Sequence, residues 1–299
     1  DITYDELIQM MVGRTITNIF PKEEAEIGEV YLKVEGLSRN NEFHDVSFEV
    51  RRGEIFGLAG LMGAGRTEVV ETLFGVRKKS AGKIYVDGKE ARIKSPSDAI
   101  RYGFCLLTED RKQSGCFLSL SVRLNTVAAS LSKHAKGPFI MRKMTVHSAE
   151  EMKKLLSIKT PGINTPISNL SGGNQQKVLV GRWLLTSPDI LIFDEPTRGI
   201  DVGSKSEIHR LLTNLAKQGK CVIIVSSEMP EVMGMSDRIL VMSEGKAVGI
   251  IERKDFSQEK IFDYKGLNID EAIKHIAQFA SGIWQIHAFG EGNTRTTAV

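Results

Sequence analysis

One short run, Gly60-Leu61-Met62-Gly63-Ala64-Gly65-Arg66-Thr67, constrains this chain more than any other eight residues. The stretch before it, Glu54 to Ala59, is apolar enough for a buried strand, and the stretch after it, Thr67 to Phe74, reads as a helix stopped by Gly75. A strand, a glycine-rich turn and a helix in that order make a cradle for phosphate. The glycines let backbone N–H groups close around an anion, and the helix N-terminus adds the positive end of its dipole. In that reading Gly60, Gly63, Ala64 and Gly65 shape the loop, and Thr67 offers its hydroxyl to Mg²⁺. Taken without their neighbours, the same residues are an ordinary turn between a strand and a helix.

The phosphate-loop pattern asks for lysine where this chain has Arg66. Lysine reaches phosphate oxygens as a compact ammonium, whereas arginine keeps the charge but spreads it over a planar fork. In phosphoryl transfer most of the catalysis is position. The expectation is a loop at which nucleotide binding survives better than hydrolysis.

Two further runs carry chemistry. Ile190 to Phe193 is a buried strand that ends in Asp194-Glu195. Beside a phosphate cradle, Asp194 is placed to hold Mg²⁺ through water and Glu195 to polarise an attacking water as general base. The plainer alternative is an acidic turn after a strand. Leu170-Ser171-Gly172-Gly173-Asn174-Gln175 opens a helix, with Ser171 as its cap and glycines that let an anion approach. Alone, that run is only a helix cap; its position between the phosphate loop and the acidic strand end gives it weight.

At 299 residues the chain is long enough for one large domain or two small ones. With 41% hydrophobic and 26% charged residues it has the make-up of a soluble globular protein. A net charge of +3 with acids and bases interspersed gives no electrostatic case for nucleic acid or for direct lipid binding. Cys105, Cys116 and Cys221 lack metal or redox spacing and fit reduced thiols, two of them inside predicted strands. No apolar run approaches the ~20 residues of a membrane span, and the first residues do not read as a signal peptide. Residues 1–29, a helical pattern followed by a polar linker from Lys22 to Glu29, look like the end of an upstream unit.

Along the chain, residues 30–57 alternate as an antiparallel β layer, and residues 82–93 form a hairpin turning at Asp87-Gly88. Ser95-Pro96 starts a short helix, and Gly103 to Thr108 is a buried strand. From Cys116 to Asn169 the pattern is helical, with Ser148-Ala149-Glu150-Glu151 as a capping box opening a helix over Met152 to Ser157. A helix over Asn174 to Thr186 and β runs at Val222 to Val225 and Ile239 to Met242 complete a strand–helix alternation that implies a largely parallel sheet. Beyond residue 255, Ile269 to Ala280 suits a helix and Gly290 to Val299 a disordered tail.

In this order of motifs, residues 30–255 resemble the ATP-binding cassette (ABC) ATPases. The resemblance implies an α/β fold: a P-loop NTPase cassette with a mixed core sheet, an antiparallel β layer and a helical subdomain over about residues 116–186. In that family two cassettes pack head to tail, each ATP lying between one P-loop and the other's signature. Carried over residue by residue, Gly60, Gly63, Gly65, Arg66 and Thr67 match the P-loop. Ser171, Gly172, Gly173 and Gln175 match the signature, Asp194 and Glu195 the acidic strand end, and Gly199-Ile200-Asp201 the loop after it.

The departures are as informative. The family's Q-loop glutamine falls on Glu109, and its switch histidine falls on Ser227, which cannot act as a charged donor. Phe43 is the local candidate to stack on adenine, or else an apolar residue of the β layer. Together with Thr108-Glu109-Asp110-Arg111-Lys112, these features are similar to the second cassette of the fused ATPase subunits of bacterial monosaccharide importers. That similarity implies ATP and Mg²⁺ as ligands and a peripheral place on the cytoplasmic face of the membrane. It implies an upstream cassette in the same polypeptide, transmembrane permease subunits and, indirectly, a sugar-binding protein as partners, with no nucleic acid. A soluble regulatory cassette without a membrane partner is the alternative.

Overall fold

In the computed structural model, which describes residues 20–257 and 261, the alternating run after Glu29 pairs with itself. β1 (Val30–Arg39) lies antiparallel to β2 (Phe43–Arg51) and to β4 (Ala81–Val86). β4 continues into β5 (Lys89–Glu90) through Asp87 and Gly88, whose φ values of 51° and 70° are those of the hairpin turn predicted there. The expected β layer is therefore real, and Phe43 is fully buried in it among core residues. It packs the core and is not free to stack on a base.

The central strands are β3 (Ile55–Gly60), β6 (Phe104–Leu107), β9 (Ile190–Asp194), β10 (Cys221–Val225), β11 (Arg238–Ser243) and β12 (Lys246–Glu252). They complete one 10-stranded sheet in the order β5-β4-β1-β2-β12-β11-β3-β10-β9-β6. The stretch from β11 to β6 is parallel, β12 is antiparallel to β11, and a bridge at Lys246 and His44 joins β12 to the β layer. β12 escapes sequence reading because its residues are half exposed and interrupted by glycine.

β3, β9 and β10 are buried on both faces, which is why they read as continuous apolar runs. Phe56, Leu58, Ile192 and Ile223 point to one side, against Val69, Val70 and Leu73 of α1 (Arg66–Leu73). Ile55, Leu191, Val222 and Ile224 point to the other, against α5 (Gly172–Leu184) and α6 (Val202–Lys217). Each such side chain, fully withdrawn from water, contributes about 1.5–3 kcal/mol. The carboxyl ends of β3, β9 and β10 lie side by side and release three loops at one edge of the core, the usual place for a ligand in a parallel sheet.

The remaining helices are α2 (Pro96–Arg101), α3 (Val122–Val127), α4 (Arg142–Leu155) and α7 (Met229–Met235). α2 is capped as expected, the Ser95 hydroxyl accepting from the Asp98 N–H. The capping box expected at Ser148 is not a helix start. α4 begins at Arg142, and the Ser148 hydroxyl in its middle lies 2.9 Å from Nε2 of the buried His134. The helical region also contains a hairpin, β7 (Ala135–Lys136) and β8 (Phe139–Ile140), that sequence reading missed. The polar linker is held down: the Lys22 ammonium sits 2.9 Å from the Asp237 carboxylate, and the Gly28 N–H donates to the Arg52 carbonyl. The helix and tail expected beyond residue 261, and the start of the upstream helical pattern, lie outside the described residues.

Candidate functional site

The loop after β3 has the shape its glycines foretold. Gly63 and Gly65 have φ values of 79° and 90°, a region costly for any side chain, and Gly65 caps α1 in the left-handed conformation. A Cβ on Gly60 would lie 2.6 Å from the Met242 carbonyl oxygen, so that position admits only glycine. Ala64 is buried beneath the turn, while Met62 at its crest is 75% exposed.

Arg66 does not reach out of this cradle. Its side chain is buried, and Nη1 donates to the Ser226 carbonyl oxygen at 2.6 Å, just past the end of β10. Burial pushes its pKa down, and the neighbouring Glu195 and Asp194 carboxylates oppose that. The planar fork thus finds a neutral backbone acceptor within its own chain.

Thr67 and Asp194 meet. The Thr67 hydroxyl hydrogen-bonds to the Asp194 carboxylate, whose Oδ1 is buried without any partner. Burial raises the Asp194 pKa to about 7, with Glu195 adding to the shift and Thr67 and Arg66 opposing it. A buried carboxylate oxygen without a partner, beside a hydroxyl at a phosphate loop, is a donor set that suits an oxygen-seeking cation such as Mg²⁺. Among the described residues, no cluster of three His, Cys, Asp or Glu side chains could hold a metal, so phosphate and water would have to complete its shell.

Glu195 has a φ of 49°, unusual for a residue with a side chain, and such strain concentrates at functional sites. Its Oε1 accepts from the Ser227 N–H at 2.6 Å, and the Ser227 hydroxyl bonds to it as well. Burial raises the Glu195 pKa, and these bonds pull against it. Ser227, where the family places histidine, therefore holds the acid.

Behind these groups runs a buried network that sequence reading did not find. Glu231 accepts from Thr197 at 2.7 Å, lies 2.6 Å from His209 Nε2, and is bonded to Ser226. Burial alone pushes the Glu231 carboxyl up, but the bonds from His209, Ser226 and Thr197 hold it below its ordinary value. Ser226 thus touches Arg66 on one side and Glu231 on the other. No local motif announces such a network, because its members come from four separate segments.

Glu109 lies further out and pairs with Arg198, on the loop after Glu195. Arg111, at the start of a single π turn over Arg111–Gly115, directs its guanidinium at the carbonyls of Arg198 and Gly199, 3.4 Å away.

The second glycine run is explained by packing within the chain. A Cβ on Gly172 would lie 3.0 Å from the Arg111 guanidinium and 3.1 Å from the Gly199 oxygen, and one on Gly173 would lie 2.1 Å from Ser204 Oγ. Asp201 caps α6, accepting from the N–H and hydroxyl of Ser204 at 2.9 and 2.7 Å. Ser171 stands at the N-cap of α5, but its hydroxyl accepts from the Asn174 side chain and not from the backbone, correcting the expected cap. Gln175 points inward and donates to the Ile167 and Leu170 carbonyls at 3.1 Å, so in this conformation it faces no ligand. The structure therefore brings together Gly60 to Thr67, Asp194, Glu195 and Ser227, while Ser171, Gly172, Gly173 and Asp201 form a second group.

The ABC transporter family model matches residues 43–198, more than half of the chain. The chain belongs to the ABC transporter family. Its relatives agree. It is 56% identical over 264 residues to a protein of Burkholderia cenocepacia (strain HI2424) named as a ribose/galactose/methyl galactoside import ATP-binding protein, covering 88% of this chain and 50% of that one. A Geobacillus kaustophilus protein of the same name is 56% identical over 260 residues, covering 87% and 52%. The chain thus spans about half the length of the curated relatives it matches.

Among solved structures, an ATP-binding cassette of an ABC transporter in its ADP conformation superposes with a TM-score of 0.68 at 20% identity, over 79% of this chain and 98% of that one. A part of the cbiONQ transporter complex from Clostridium perfringens gives 0.64 at 24% identity, over 84% and 100%. These likenesses establish the cassette fold. The Fic/DOC family model also matches residues 206–299. Up to residue 255 that match runs through α6 to β12, which the structure builds into the ABC cassette, and nearly all of the rest lies outside the described residues.

Proposed function

We propose that this chain is the second cassette of an ATP-driven importer for monosaccharides of the ribose and galactose class. Its own phosphate site is restrained, and its Ser171-Gly172-Gly173 run serves the P-loop of an upstream cassette. The observation that carries this is the fastening of the P-loop cation and the strand-end acid to the loop after β10: Arg66 on the Ser226 carbonyl and Glu195 on the Ser227 N–H. A guanidinium and a carboxylate engaged in this way are held back from a γ-phosphate and from an attacking water. The names of the relatives support the substrate class, and their double length leaves room for another cassette.

In this proposal Gly60, Gly63, Ala64, Gly65 and Arg66 bind nucleotide phosphates. Thr67 and Asp194 hold Mg²⁺, which when bound neutralises phosphate charge. Glu195 keeps the geometry of a general base but is retained by Ser227. Glu109 and Asp201 tune the loops at the edge of the site. Peripheral attachment at the cytoplasmic face follows from a permease partner; among the described residues, no helix is long and apolar enough to cross a membrane.

Co-purification with a permease and a sugar-binding protein, with ATPase activity stimulated by sugar, is the expected outcome. A transporter that imports sugar at full rate with this half deleted would overturn the proposal.

A further inference from the structure

The small net charge conceals an uneven distribution. Between Arg111 and Ala149 the chain has seven lysines and arginines and no aspartate or glutamate. The interspersed charge expected from composition therefore fails in this one stretch, which folds as α3, the β7–β8 hairpin and the first half of α4.

The hairpin turns at Gly137, with a φ of 57°, and pairs Lys136 with Phe139. Phe139 is 72% exposed, the adjacent Ile140 52%, and Met144 in the first turn of α4 42%. Lys136, Arg142 and Lys143 are exposed around them, and among the described residues none forms an ion pair. Beside the hairpin a cavity of about 440 Å³ is lined by Lys133, His134, Lys143, Met144, His147 and Ser148. Lys133 is tethered there, its Nζ donating to the Leu185 carbonyl at 3.0 Å.

Exposed apolar side chains ringed by unpaired cations match a membrane–water boundary. The ring and the aliphatic chains gain by entering the acyl layer, while ammonium and guanidinium groups meet headgroup phosphates. A nucleic acid would satisfy the cations but give Ile140 and Met144 nothing to pack on. We propose that the β7–β8 hairpin and the first turn of α4 dock on an anionic phospholipid surface.

The test is co-sedimentation of this chain, without nucleotide or permease, with vesicles of phosphatidylcholine containing phosphatidylglycerol or of phosphatidylcholine alone. Binding is expected only to the anionic vesicles and should fall steeply with salt. Lys136→Glu with Lys143→Glu should weaken it by about tenfold or more, since each cation near such a surface is worth about a factor of five. Phe139→Ser with Ile140→Ser should weaken it comparably. All four positions are exposed, so unchanged melting curves will show that the fold is intact. Equal binding to both vesicle types, binding to neither, or unaffected variants would overturn the proposal. So would retention of single-stranded RNA under conditions that leave anionic vesicles unbound. Because no ATP use or permease enters the assay, its outcome is independent of the importer reading.

Discussion

Arg66 and Ser226 are joined by a 2.6 Å hydrogen bond from the guanidinium to the backbone carbonyl, across 160 residues of sequence. One residue further on, Ser227 holds Glu195 by its N–H. The P-loop cation and the acid after the β9 strand end are therefore both fastened to the same loop after β10. That loop is itself anchored through Ser226 to buried Glu231. Two positions that depart from the family pattern, Arg66 and Ser227, therefore meet at one loop, while the third, Glu109, pairs separately with Arg198, and reverting one leaves the others in place.

Arg66→Lys is the simplest test of that linkage. A lysine frees the Ser226 carbonyl but leaves Glu195 bonded to Ser227 and Glu109 paired with Arg198. Single-turnover phosphate release by the variant should stay within about tenfold of the parent chain, less than the effect expected of a fully restored site. A gain of several orders of magnitude would show that Arg66 alone restrains the site.

Asp194 gives a prediction with a defined sign. Its pKa is raised from 3.8 to about 7, so the folded state holds its proton more tightly than the unfolded state. The associated stability is fully present below about pH 4 and is lost as pH rises through about 7. Asp194→Asn removes the penalty and should raise the stability of the nucleotide-free chain at pH 8 by about 1–3 kcal/mol, with little gain at pH 4. Thermal melts at both values check this; equal gains at both would exclude Asp194 as the cause. The same variant should lose the stabilisation conferred by ATP with Mg²⁺.

The fold was legible where one physical signal dominated. β3, β9 and β10 are buried on both faces and therefore apolar throughout, and Asp87-Gly88 could only be a tight turn. The start of α4 was misplaced because Ser148 and Glu151 fit a capping box, whereas in the structure the Ser148 hydroxyl lies against His134. At the site, residue identities and loop order were readable, but which partner each side chain takes was not. Arg66 could have pointed at solvent or phosphate; its carbonyl acceptor comes from a distant loop that no local pattern reveals.

Gly173 tests the reading of the second glycine run. A methyl group there would sit 2.1 Å from Ser204 Oγ and 2.5 Å from Ser204 Cβ. Gly173→Ala should destabilise the chain by about 1–3 kcal/mol, and Ser204→Gly in the same chain should recover part of the loss. Denaturant unfolding of the two single variants and the double variant measures the coupling. Strict additivity would mean that the glycine is needed for something other than this contact.

Glu231 should be among the most sensitive polar positions. Glu231→Ala leaves His209 and Thr197 buried without their acceptor and should cost about 3 kcal/mol or more. Hydrogen exchange should quicken in the loops after β9 and β10 together. Quickening in only one of them would show that Glu231 does not tie the two.

The most direct measurement compares two substitutions in the full-length protein to which the proposal assigns an upstream cassette: Glu195→Gln and Ser171→Glu. If this half restrains its own site and lends its serine–glycine tip to the neighbour, steady-state ATP turnover should largely survive the first and collapse with the second. Turnover abolished by Glu195→Gln and preserved with Ser171→Glu would show the reverse, that the fuel is burned here.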